Sequence, residues 1–80
     1  MKGSVAFVRG ARIAVETRLG FTYFELLEGS TMEPGDELAG ALDALGGEKL
    51  RNLSTGESFD VFIEDIYASR ENAARFVRGG

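Results

Sequence analysis

The sequence predicts an all-β fold: a small closed or partly open antiparallel barrel of five or six strands with a short C-terminal helix. Three observations lead there. Apolar and polar residues alternate over short runs, Gly-containing reversals separate those runs, and the eleven glycines are spread along the chain. Eighty residues supply one core and not two, so residues 1–80 are expected to form a single domain.

The elements follow in order. Val5-Ala6-Phe7-Val8 reads as a first strand, ended by Arg9-Gly10. Arg12–Thr17 reads as a second, with Ile13 and Val15 on one face. Leu19-Gly20 returns the chain into a third, Phe21–Leu27, and connections this short make a meander. A longer loop, Glu28–Asp36, contains Pro34-Gly35-Asp36, where Pro fixes φ and Gly tolerates positive φ. Glu37–Leu42 is expected as a fourth strand. The alternative is a helix over 37–45, since Leu38, Leu42 and Leu45 have helical spacing. Gly40 within the run and Gly46-Gly47 after it favour the strand, with Gly46-Gly47 as a hairpin tip. Leu50–Leu53 is a short fifth strand.

The sixth and longest strand is Ser58–Tyr67, with Phe59, Val61 and Ile63 on one face and Phe62 and Ile66 on the other. By the same alternation Asp60 and Glu64 share a face and Asp65 takes the opposite one. Ser69 then offers an N-cap, Glu71 suits the first turn, and Arg75 and Arg78 suit the last. Ala73, Phe76 and Val77 form one apolar stripe, expected to cap an open end of the barrel, and Gly79-Gly80 stop the helix.

Closure into a barrel hides strand edges that a six-strand chain would otherwise expose. Met1-Lys2-Gly3-Ser4-Val5, Pro34-Gly35-Asp36-Glu37-Leu38 and Leu50-Arg51-Asn52-Leu53 resemble framework segments of the oligonucleotide/oligosaccharide-binding-type barrel, and within it the cold-shock domain. The resemblance covers about the first two-thirds of the chain. It implies a barrel scaffold and single-strand binding through aromatic motifs on neighbouring strands. Arg12–Thr17 has no aromatic residue where the first motif would fall, and Gly20-Phe21-Thr22-Tyr23-Phe24 is a partial counterpart of the second.

Composition excludes several chemistries. With neither His nor Cys, the chain has no Ser-His-Asp triad, no Cys-His pair and no imidazole or thiolate zinc site. Only Lys2 and Lys49 are left for a Ser–Lys dyad, and both read as surface turn residues. Gly46-Gly47-Glu48-Lys49 lacks the spacing of a phosphate loop. Glu33, Asp36 and Glu37, and Asp60, Glu64 and Asp65, read as solvated strand-edge charge in preference to a divalent-ion site. No catalytic residue, cofactor or metal is therefore expected, and the protein is read as a non-enzyme. The start of the chain lacks a signal-like apolar run, so a cytoplasmic location away from membranes is expected.

Net charge is −4, with basic groups near both ends and six acids without a base over residues 21–47. Two binding roles follow. The first is a protein-interaction or assembly module, with a protein partner or a homodimer formed through a strand edge or the helix. The second is a weak single-stranded nucleic-acid binder using Phe21, Tyr23, Arg9, Arg12 and Arg18. If Phe24 and Leu26 enter the core, Phe21 and Tyr23 fall on the opposite strand face beside those arginines. The competing arrangement buries aromatics on both sides of the strand, with Phe21 under the C-terminal helix.

Overall fold

The computed structural model describes residues 1–28 and 31–79; the loop residues Gly29 and Ser30 and the terminal Gly80 lie outside the described residues. Six strands and one helix succeed one another: β1 (Lys2–Arg9), β2 (Arg12–Thr17), β3 (Gly20–Leu26), β4 (Glu37–Gly40), β5 (Gly46–Asn52), β6 (Ser58–Ala68) and α1 (Arg70–Arg78). The strands close into a barrel in the order β1-β2-β3-β6-β5-β4, and every neighbouring pair is antiparallel. Two three-stranded meanders are thus joined at β3–β6 and at β1–β4. The all-β barrel and its terminal helix agree with the sequence. Closure pairs every strand on both sides along part of its length and leaves short stretches with one neighbour, among them Ala6–Arg9 of β1 beyond its pairing with β4 and Glu64–Ala68 of β6 beyond its pairing with β5.

Inward-facing residues fill the barrel: Val5, Ile13, Val15, Phe24, Leu38, Leu50, Phe59, Val61 and Ile63 from the strands, with Met32 and Leu42 from the loops around β4. The Thr22 hydroxyl, also buried, donates to the Leu42 carbonyl at 2.6 Å and pins the segment after β4. Asn52 does the same for two loops. Its amide nitrogen donates to Asp36 at 3.0 Å, and its oxygen accepts from Ser54 and Thr55 in the turn after β5. These bonds leave no buried side-chain polar atom unpartnered among the described residues.

Three register irregularities re-aim side chains. In β1 the pairings Val5↔Val15 and Phe7↔Ala14 leave Ala6 as an extra residue, so Val5 and Val8 both enter the core and Phe7 points outward. In β6 the register shifts twice opposite β3, between Phe24 and Tyr23 and between Tyr23 and Phe21. Tyr67, beside the second shift, has φ 55, a conformation a bulge imposes on few non-Gly residues. Strict alternation puts Ile66 with Phe62; the bulges instead turn Ile66 onto the core while Phe62 faces solvent. They also bring Asp65 to the outer face opposite Tyr23, the same face as Asp60.

Residues 37–45 hold the expected strand and not the alternative helix, although β4 stops at Gly40, where φ is +142, and a turn through Leu42 and Asp43 follows. Three further expectations need correction. Gly46 and Gly47 are not a hairpin tip but the first residues of β5, paired with Ile63 and Phe62, and β5 runs from Gly46 to Asn52. Lys2 and Lys49 accordingly stand in strands, not turns. Finally, α1 does not cap an open end. It lies across the outer wall of β1, β2 and β3 and buries a second apolar cluster of Ala14, Phe21, Ala68, Ala73 and Val77. Its ends form as the sequence requires: Ser69 Oγ accepts from the Asn72 backbone at the start, and Gly79 takes a left-handed conformation at the stop.

Candidate functional site

Four of the five residues singled out from sequence for single-strand binding, Phe21, Tyr23, Arg9 and Arg12, form the seat of α1. Phe21 is only 6% exposed. One neighbour is Phe7, whose ring centroid lies 6.2 Å away at an interplanar angle of 11°, and the Arg70 guanidinium sits 5.8 Å from the Phe21 ring. Tyr23 is half-buried and stacks on Phe76 with centroids 4.5 Å apart. Arg12 holds the other side of this pair: its guanidinium lies 4.7 Å from the Phe76 centroid and donates to the Phe76 carbonyl at 2.9 Å. Arg9 donates to the Arg78 carbonyl at 3.1 Å. Both arginines thus satisfy carbonyls at the C-terminal end of a helix, where unpaired acceptors and the negative end of the helix dipole favour cations.

Arg18 stands apart. It occupies the turn between β2 and β3, beyond the opposite end of β2 from Arg12, and is exposed. The structure therefore gathers Phe21, Tyr23, Arg9 and Arg12 around α1 and leaves Arg18 outside. The missing partner in the sequence reading was Phe76, whose ring occupies the space over Tyr23.

The Tyr23 hydroxyl donates to Asp65 Oδ2 at 3.2 Å. Partial burial, followed by the Asp65 charge, pushes the phenol above its ordinary range. A raised folded-state value means that this stability is fully present below the unfolded tyrosine pKa and lost as pH rises through the folded one. The urea midpoint of Tyr23→Phe should lie below that of the native chain near neutrality. The gap should narrow above about pH 10, because only the native chain must give up a stabilised proton. A gap constant from about pH 8 to 11 would contradict this.

Beside the helix, the C-terminal end of β3 together with β6 and β5 presents an uncovered face. Phe62 stands at its centre with 46% of its surface exposed, between Val61 and Ile63, which are buried. Its cross-strand neighbours are Glu25 on β3 and Gly47 on β5. Gly47 supplies no side chain, and a shallow groove lined by Leu27, Gly47, Glu48, Lys49 and Asp60 runs over it. Leu27 and Leu45, just after β3 and just before β5, are 59% and 61% exposed. Lys49 Nζ and Asp60 Oδ1 pair at 3.2 Å beside the groove. Glu28 also shares a hydrogen bond with Asp60; this raises the Glu28 carboxyl and, with Lys49, lowers that of Asp60. Sequence alternation had placed Phe62 opposite the core-facing side of β6, but nothing local signalled that Gly47 would lie beside it, because residues 46–47 read as a turn.

Among the described residues no three acidic side chains converge as a metal would require. Asp36 and Asp65 instead accept hydrogen bonds from the protein itself. Among the described residues no helix is long and apolar enough to cross a membrane.

Fold and surface together define a small closed six-stranded antiparallel barrel with one helix docked on its wall and one sheet face left open. Comparison with protein-family models, curated proteins and solved structures finds no match.

Proposed function

We propose that this chain is a non-catalytic protein-interaction or assembly module that works through the outer face of β3, β6 and β5. The observation that carries the reading is Phe62. A fully buried aromatic side chain contributes about 2–3 kcal/mol, yet this one stands 46% exposed in the middle of a sheet face. Aromatic anchors within a polar rim are how protein interfaces concentrate binding energy. Here Glu25, Lys49 and Asp60 provide the rim.

The alternative is a weak single-stranded nucleic-acid binder on an oligonucleotide-binding-like, cold-shock-like scaffold. Its support is the number of arginines on the helix side: Arg9, Arg12, Arg70, Arg75 and Arg78. Stacking platforms need open ring faces, however, and those of Phe21 and Tyr23 are occupied by Phe7, Arg70 and Phe76. The interaction reading is therefore preferred.

Photo-crosslinking separates the two. A benzophenone amino acid replaces Phe62 in one variant and the exposed Arg75 on the helix in another. The expected result is a discrete protein adduct from position 62 that excess unlabelled chain competes away, with none from position 75. Equal, non-competable labelling at both positions would defeat the reading. Labelled oligonucleotides added at low salt should show no binding at tens of micromolar; binding lost with rising salt and with Arg9→Ala would favour the alternative.

A further inference from the structure

We infer that the partner of the β6–β5 part of this face is a second copy of this chain, related by a two-fold axis that runs parallel to β5 and β6 and midway between them. The inference rests on the interaction reading above and deepens it. A symmetric interface must be complementary to itself: if one residue meets another, the second must meet the first. This face satisfies that condition twice, in adjacent rows of the same pair of strands.

The first row is steric. Phe62 and Gly47 are direct cross-strand partners, so a projecting ring and a position without a side chain lie side by side. A Cβ built on Gly47 would meet nothing within 4 Å, and the groove runs over the same residue. Exchanging β5 with β6 through the two-fold sets Phe62 of each copy over Gly47 of the other. The second row is electrostatic. Lys49 and Asp60 are also direct partners, and they are joined by an exposed ion pair. The same axis places Lys49 of each copy over Asp60 of the other. Two separate pairs then become a closed ring of four alternating charges, with unlike charges along each of its four edges and Glu28 beside each Asp60 at its rim.

The size of the face sets the strength. A patch three strand spacings of about 4.8 Å wide and about five residues long gives roughly 250 Å² per copy, far below the roughly 800 Å² per partner of a stable complex, so the association is weak and reversible. Association is therefore expected only at high protein concentration.

Sedimentation velocity of the purified full chain tests this. The mass should climb from one chain towards two as concentration rises from about 10 µM to 1 mM. Gly47→Leu fills the space without touching the fold and should hold the mass at one chain while leaving the urea midpoint near that of the native chain. The deciding arm uses Lys49→Asp, which carries two acids in the row, and Asp60→Lys, which carries two bases. Each alone should lose about tenfold or more in self-association, and an equimolar mixture should regain it, because the acid row of one then meets the base row of the other. A native chain that stays monomeric throughout overturns the inference. So does a dimer indifferent to Gly47→Leu, or variants whose mixture fails to associate. If purified chain is monomeric while position 62 still crosslinks a different protein in cell extract, the interaction reading stands and only the second copy falls.

Discussion

Phe24→Ala is expected to lower the urea midpoint far enough that a large part of the chain is unfolded near 37 °C. Phe24 has no exposed surface and sits in the middle of β3, paired with Ile13 on one side and Ile63 on the other. Its ring lies 6.5 Å from that of Phe59, the other aromatic side chain in the barrel interior. Truncating a buried Phe to Ala costs about 3–5 kcal/mol, made up of lost transfer energy and an unfilled cavity. A chain of this length has a total stability of only about 4–12 kcal/mol. The surrounding strands are locked to one another on both sides, so the barrel has little freedom to collapse into the gap. A urea titration followed by far-ultraviolet circular dichroism reads the loss directly; a midpoint within error of the native one would show that the interior is not packed as described.

The second large effect is expected from Gly40→Ala. Gly40 ends β4 with φ at +142, a region that L-residues rarely enter. A Cβ there would lie 2.7 Å from Leu50 Cδ2 and 3.2 Å from the Lys49 carbonyl oxygen. Backbone strain of about 1–3 kcal/mol and overpacking of a similar size act together, so a loss of about 2–5 kcal/mol is expected. Gly47→Ala is the matched control. It adds the same methyl group one strand away, at a position with open space and no positive φ, and should stay within about 0.5 kcal/mol of the native chain. If the two substitutions cost the same, the local account of Gly40 is wrong.

The fold was legible where alternation ran undisturbed. Ile13 and Val15 in β2, Phe59, Val61 and Ile63 in β6, and the stripe of Ala73 and Val77 in α1 all face the cores their spacing assigned them. Reading failed where the period was broken by geometry that only tertiary pairing reveals. The bulges in β6 change which face Ile66 takes, and no residue type in Glu64-Asp65-Ile66-Tyr67 announces an irregularity. Gly46-Gly47 carries a strong turn signal, yet pairing with Ile63 and Phe62 overrides it. The candidate surface suffered most from this. Phe21 and Tyr23 do share the outer face of β3, as their spacing required, but a helix nearly fifty residues downstream covers them. Phe62 was legible as lying on the face opposite Phe59, Val61 and Ile63, in a strand that read as apolar on both faces, whereas its exposure and its bare neighbour depended on pairing that the misread glycines hid.

The shortest stave of the barrel has a consequence of its own. β4 spans four residues and is joined to β1 and to β5 by three residue pairs each, while β2–β3 and β5–β6 have six apiece. If the wall parts anywhere without the whole molecule melting, this seam has the fewest bonds to break. Parting there would bare the hydrogen-bonding edges of β1 and β5 together, adding two long edges to the short unpaired stretches at the ends of β1 and β6. Strand exchange and fibrillar stacking would have their point of entry at Leu38 and Ala39.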